Sequence, residues 1–270
     1  MSDLENLIVI RGGGDLATAC IYKLFACGFP VLVLETGNPT AIRRAVSFSQ
    51  AVFTGEHSVE GICAKKISSF AEVGKTLTEG KIPILIDPEG ASIAALRPFA
   101  VVDAIIAKKN LGTHRQMAPL TIALGPGFVA GEDVDYVIET QRGHDLGRII
   151  SQGSSEKNTG IPGKIQGFDK ERVLYASQSG ILHLEKQIGD LVTQGEILGF
   201  LVGEEEKTPV TASISGVLRG ILPQNFAVAK GLKLADIDPR VSEQKNSFTI
   251  SDKARCIAGS VLELIVAKGN

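Results

Sequence analysis

Leu7-Ile8-Val9-Ile10-Arg11-Gly12-Gly13-Gly14-Asp15-Leu16-Ala17-Thr18 is the stretch on which the fold turns. An unbroken apolar run marks a strand covered on both faces, as parallel strands are. Three glycines follow. Leu16, Ala19, Cys20, Leu24 and Cys27 then recur at helical spacing, and Gly28 takes the position that closes a helix. Outward from this start, strands are predicted at Val31–Leu34, Gly61–Ile67, Ile82–Ile86 and Val101–Ala107. Helices are predicted between them at Thr40–Ala51, Phe70–Leu77 and Ser92–Leu96. Strand and helix in alternation imply a parallel sheet with helices on both faces.

After Lys108 the texture changes to short strands and glycine-rich turns, with strands predicted at Thr121–Leu124, Tyr136–Thr140 and Val173–Ala176. Gly153–Gly167 reads as a long surface loop. A repeat runs without gaps at a shift of 36 residues: Gly180-Ile181-Leu182 matches Gly216-Val217-Leu218, Val192 matches Val228, Gly195 matches Gly231, and Leu198 matches Leu234. Two such units must stack to bury a shared face. The pattern resembles the half-motifs of biotinyl/lipoyl-type barrel-sandwich domains. Asp252–Lys268 is a helix whose stripe is Ala254, Ile257, Ala258, Val261, Leu262 and Ile265. The expected class is therefore α/β plus β. A Rossmann-like parallel sheet takes residues 1–115. A β-rich domain takes 116–250, with its barrel-sandwich repeat at 180–238. A C-terminal helix, 251–270, packs back on the first domain.

Composition excludes several classes. The chain has 270 residues, 44% of them apolar, which suits one large or two ordinary soluble domains. Its formal charge is −2, and basic residues occur only in short pairs, so nucleic acid is not the expected partner. No apolar run reaches the ~18 residues of a membrane span. The acidic start, Met1-Ser2-Asp3-Leu4-Glu5, lacks a signal-peptide pattern, so a cytoplasmic location is expected. Cys20, Cys27, Cys63 and Cys256 form no CxxC pair, so no metal site is expected, and Cys20 and Cys27 read as core cysteines on one helix face.

Two constellations stand out. Gly12, Gly13, Gly14 and Asp15 lie between a strand and a helix, with Glu35 at the end of the next strand, 21 residues after Gly14. This is the context of a dinucleotide fingerprint: a pyrophosphate on the helix end and an acid for the ribose hydroxyls. An adenine mono- or dinucleotide is the cofactor it would take. Asp15 at the helix start caps the helix itself and opposes an anion, although similar GGGD turns occur in some pyridine-nucleotide reductases. The second constellation runs from Gly125-Pro126-Gly127-Phe128 to Arg142-Gly143-His144-Asp145-Leu146-Gly147-Arg148. Arg142 and Arg148 offer bidentate anion contacts, His144 an acid or base near neutral pH, and Asp145 an adjacent carboxylate. Arg142, His144 and Asp145 are the candidate catalytic residues. Lys207 occupies the place of a carrier lysine, but Glu204-Glu205-Glu206-Lys207-Thr208-Pro209 lacks carrier signals, so neither biotin nor lipoate is expected.

Longer motifs carry a resemblance. Ile10–Thr18, Ala41–Phe48, Gly125–Phe128, Ile138–Thr140, Arg142–Arg148, Asn158–Gly163 and Asp236–Arg240 resemble the YqeB-type proteins of the selenium-dependent molybdenum hydroxylase system. The resemblance implies an accessory role in maturing such a hydroxylase, the expected partner, with a small ligand held in an interdomain cleft. A nicotinamide-dependent oxidoreductase and a non-catalytic scaffold docking on the apo-hydroxylase are the rival readings.

Overall fold

The opening apolar run becomes β1 (Ile8–Arg11), buried at every position, in a computed structural model that describes residues 6–158, 160, 163–203 and 206–269. Met1–Glu5, Thr159, Ile161, Pro162, Glu204 and Glu205, which carry parts of the readings above, lie outside the described residues. The chain divides into two units. One comprises Met1–Pro39, Ser47–Asn158 and Ile250–Asn270, and the other Thr40–Val46 and Thr159–Thr249.

In the first unit, β1 leads through the glycine turn into α1 (Asp15–Ala26) and β2 (Val31–Glu35). Next come α2 (Ala51–Thr54), β3 (Glu56–Val59), β4 (Ile62–Ile67), α3 (Val73–Thr78), β5 (Ile82–Ile86), α4 (Ile93–Leu96) and β6 (Ala100–Asp103). Then β7 (Leu120–Leu124), β8 (Tyr136–Ile138) and β9 (Ile149–Ile150) follow. The nine strands form one sheet in the order β3-β4-β5-β2-β1-β6-β7-β8-β9. Leu7, Val9, Leu32, Leu34, Ile67, Leu85 and Val101 build one of its cores.

The second unit holds β10 (Val173–Tyr175), β11 (Gly180–Leu184), β12 (Leu191–Val192), β13 (Ile197–Val202), β14 (Lys207–Thr211), β15 (Gly216–Ile221), β16 (Phe226–Val228) and β17 (Lys233–Asp238). They form two antiparallel sheets, β10-β17-β15-β12 and β14-β13-β11-β16. The 36-residue shift carries β10 onto β14, β11 onto β15, β12 onto β16 and β13 onto β17, so it exchanges the two sheets strand for strand. Each sheet contains strands of both copies, and Leu182, Leu198, Leu201, Leu218, Leu234 and Ile237 meet in the shared core. The chain ends in α5 (Asp252–Gly269), part of the first unit, which lies along α1.

The expected fold class is corrected in both halves. The first sheet is mixed rather than a parallel Rossmann-like sheet: β3 and β9 run antiparallel at its two edges, and it continues past residue 115 through β7 and β8. The second unit is a pair of four-stranded antiparallel sheets, not a biotinyl/lipoyl-type barrel sandwich confined to 180–238. The repeat specifies turns and local strands. It does not reveal that β10, outside the repeated window, and residues 40–46 join the same unit. The helix expected over Thr40–Ala51 is absent. Short 3-10 turns form at Arg44–Val46 and Phe48–Gln50. Ile42 packs on the second core, and the Arg44 Nε–H donates to the Ile221 carbonyl at 3.0 Å. Those tertiary contacts outweigh a local helical preference. On α1, Cys20 is buried, its thiol pushed up to about 12 by burial, whereas Cys27 is exposed at the helix end. On α5, Leu264 is buried in place of the expected Leu262.

Candidate functional site

Strand order reverses at β1, whose neighbours are β2 on one side and β6 on the other. Open α/β sheets bind ligands outside the strand ends at such a switch point. The glycine turn stands there. A side chain at Gly12 or Gly13 would press on backbone: Ala104 O lies 3.0 Å from a Cβ at Gly12, and Ser49 N lies 3.0 Å from one at Gly13. The Gly13 carbonyl accepts from Ser49 N–H at 2.9 Å and from the Thr18 hydroxyl at 3.2 Å. Gly12 and Gly13 therefore serve close packing of the turn. Gly14 differs. It caps α1 without a side-chain hydrogen bond, and nothing stands within 4 Å of where its Cβ would be.

Glu35 folds into the turn instead of facing outward. Its Oε2 accepts from Gly13 N–H and its Oε1 from Thr36 N–H, both at 2.7 Å. Both oxygens are engaged, so they are not available to a ribose diol in this conformation. Burial pushes the carboxyl above its ordinary 4.5, and the two N–H bonds pull it partly back. A carboxyl that holds its proton more tightly when folded contributes stability that is full below about pH 4.5 and is lost as pH rises through its folded value. Glu35→Ala is expected to cost about 1–3 kcal/mol, because it orphans the Gly13 and Thr36 donors. Glu35→Gln should flatten the fall in stability between acid and neutral pH. Thermal melts across that range test both, and an unchanged slope in Glu35→Gln would remove Glu35 as its source.

Asp15 opens α1, and its Oδ1 accepts from Leu16 N–H at 2.9 Å. Lys253, in the first turn of α5, shares charge interactions with Asp15, Glu139, Asp252 and Arg142. Burial pushes its ammonium below the ordinary 10.5. Sequence reasoning passed over Lys253. The available signal is its place four residues before the buried Ile257, on the stripe that packs inward. Glu139 is buried and holds Gln141 N–H at 2.6 Å and Glu156 N–H at 2.7 Å.

The second constellation spreads over the surface of the same unit. Arg142 forms a bidentate pair with Asp252 at 2.8 and 3.0 Å, with both side chains exposed. Arg148 pairs with Asp145 at 3.3 Å, and His144 is exposed. Each arginine thus has its own carboxylate, and the two do not share an anion. A cleft of about 360 Å³ is lined by Glu139, Asp145, Arg148, Ile149, Gln152 and Glu156 among others, with more acidic than basic groups. Among the described residues no group of three or more His, Cys, Asp or Glu is placed to hold a metal. The loop after β6 is strained, with Ile106 at φ 59 and Lys108 at φ 63. Gly127 is pinned beneath it, since a Cβ there would lie 2.6 Å from Lys109 N.

Gly12–Asp15, Glu35, Gly125–Phe128 and Arg142–Arg148 all lie in the first unit. Of the other motifs that carry the family resemblance, Ile138–Thr140 lies in the first unit, while most of Ala41–Phe48 and Asn158–Gly163 and all of Asp236–Arg240 lie in the second. Over 262 residues the chain is 47% identical to a protein of Escherichia coli (strain K12) described as uncharacterized protein YqeB. It is similar to YqeB over nearly all of its own length. The match covers 97% of this chain and 48% of YqeB, so the chain spans about half the length of its curated relative. No protein-family description matches the chain. Among solved structures it is similar to a succinylglutamate desuccinylase/aspartoacylase from Rhodobacter sphaeroides, 12% identical, with a TM-score of 0.30 over 87% of this chain and 86% of that one. It is also similar to an aspartoacylase family protein from Mesorhizobium loti, 12% identical, with a TM-score of 0.32 over 87% of this chain and 85% of that one. At such scores no activity is transferred. Among the described residues no helix is long and apolar enough to cross a membrane.

Proposed function

We propose that this chain is an accessory factor in the maturation of a selenium-dependent molybdenum hydroxylase, and that it holds a small anionic ligand at the open end of α1. The observation that carries the binding half is Gly14: an uncapped helix start with free space before it, at the switch point of the sheet. The helix dipole and the first-turn amides other than Leu16 N–H, which Asp15 holds, favour negative charge there. Lys253 supplies the cation that offsets Asp15. The engaged Glu35 favours a compact phosphate-bearing ligand such as a mononucleotide over a dinucleotide. All these groups belong to the first unit, so this reading sets the ligand within that unit rather than in an interdomain cleft. The accessory half rests on the motif resemblance, since the relative YqeB is described only as uncharacterized.

AMP is expected to raise the Tm of the protein, and Lys253→Met to weaken that binding about tenfold, the worth of one hydrogen bond to a charged group. No Tm shift with AMP, ATP, NAD or NADP would overturn the binding half. In a host lacking its own copy, the wild type should restore hydroxylase activity and enzyme-bound selenium. Full activity without the protein would overturn the accessory half.

A further inference from the structure

The second unit carries a cluster of charges that the proposed function does not use. Asp236 and Asp238 are two apart on β17, so their side chains lie on one face of the sheet, while Ile237 between them enters the core. Both acids are buried. Arg172 reaches Asp236 through Nη2, at 3.1 Å from Oδ1 and 3.4 Å from Oδ2, and also donates to the Ile237 and Gly163 carbonyls at 3.2 and 3.0 Å. Arg240 wraps Asp238, with its backbone N–H at 3.0 Å, its Nε–H at 2.9 Å and its Nη2 at 2.7 Å. Each carboxylate is thus supplied with its own arginine.

Arg219 is the third guanidinium. Leu218 pairs with Ile237 and Gly220 with Asp236, so Arg219 is the extra residue of a β-bulge in β15. Bulges re-aim side chains, and they cost a ladder position to keep. This one sets Arg219 beside the two acids, yet its nearest carboxylate oxygen, Asp236 Oδ2, stands at 3.8 Å. Among the described residues Arg219 makes no hydrogen bond, and its side chain is only 20% exposed. One positive charge is left over. The guanidinium is not sealed off, since none of its nitrogens is among the buried unpaired atoms, so an anion from solution can reach the surplus charge.

We propose that Arg219 is an oxyanion site, taking the carboxylate or phosphate end of a small molecule in a bidentate contact. The planar fork of a guanidinium matches both groups. Its limited exposure admits a terminal group, and the neighbouring carboxylates repel an extended polyanion. The site's residues belong to the second unit, whereas those at the end of α1 belong to the first.

The test follows the Arg219 Nε–H resonance of the full chain by NMR, assigned by its loss in Arg219→Gln. Inorganic phosphate and acetate are titrated separately at matched ionic strength, with chloride as the reference. At least one of them should shift this resonance saturably, and the tighter of the two names the source of the oxyanion. Arg219→Lys, which keeps the charge without the fork, should weaken binding about tenfold, read by calorimetry. Arg148→Gln, an exposed arginine in the other unit, should leave the resonance and its shift intact. No saturable shift with either anion, or a response equal to chloride, overturns the proposal. Binding as tight in Arg219→Lys as in the wild type overturns the bidentate contact. The AMP effect on Tm should survive Arg219→Gln, so failure here is distinguishable from failure at α1.

Discussion

Arg11→Met should destabilise the protein by about 3–5 kcal/mol at neutral pH, a Tm drop on the order of 10 °C. Arg11 ends the central strand β1 and is 1% exposed. Its Nη1 donates to Thr113 Oγ1 at 2.6 Å, and its Nη2 donates to the Pro88 carbonyl at 2.8 Å and to the Leu111 carbonyl at 3.3 Å. The Thr113 hydroxyl in turn donates to Asp103 Oδ2 at 2.6 Å, and the guanidinium stands 4.0 Å from that oxygen. One side chain therefore joins the loops after β5 and β6 to the end of β1. Methionine fills similar volume but leaves the buried Asp103 without its cation and two carbonyls without their donor. Burial already pushes the Asp103 carboxyl above its ordinary 3.8, while the Thr113 and Ile105 bonds and Arg11 pull it down. Without Arg11 it rises further, so the folded variant binds its proton more tightly. The penalty should then shrink as pH falls and grow toward neutrality. Asp103→Leu added to Arg11→Met should recover part of the loss, a coupling of about 1 kcal/mol or more by double-mutant cycle. Calorimetry at two pH values reads both quantities. A cost below about 1 kcal/mol, or one independent of pH, would show that the network does not hold these loops.

Gly199→Ala should cost the second unit about 3 kcal/mol or more. Gly199 lies on β13 opposite Leu184 of β11. A Cβ there would overlap the His183 carbonyl oxygen and lie 3.2 Å from Leu184 Cα. Both neighbours are backbone of the paired strand, so no rotamer change relieves the clash. The strands must part, and the β11–β13 ladder within the first copy of the repeat opens with them. Gly74→Ala is the control. It lies inside α3 with nothing within 4 Å, and alanine there should be neutral or stabilising by up to about 1 kcal/mol. Limited proteolysis should cut Gly199→Ala between residues 173 and 238 under conditions that spare the wild type and Gly74→Ala. Equal resistance of all three would refute the close approach of β11 and β13.

Much of the first unit was readable because its signals are local. The apolar run of β1, the glycine turn and the spacing along α1 each lie within about a dozen residues, and each forms an element of the expected type. The hairpin of β3 with β4 was half read. Glu56–Val59 alternates exposed with covered positions, and only Val59 is fully buried. One apolar anchor is too little to announce an edge strand. The candidate site was readable as a turn but not as a site. Glu35 stood at the right distance from Gly14, yet whether its carboxylate faces a ligand or the Gly13 amide is a matter of side-chain direction.

Local pattern thus settled where chain direction changes and which residues seek burial, since periodicity and glycine conformations are properties of neighbouring residues. It settled the strand–turn–helix start, the closing helix and the 36-residue repeat. Pairings between distant residues were left to the folded chain. Arg142 with Asp252 is 110 residues apart, and Arg11 with Thr113 is 102. Lys253 meets the charge of Asp15 from the other end of the sequence. Residues 40–46 join the second unit because Ile42 finds its apolar partners there. Such choices turn on which partner buries a surface or neutralises a charge at least cost. That depends on what lies nearby in space, and no spacing along the chain encodes it.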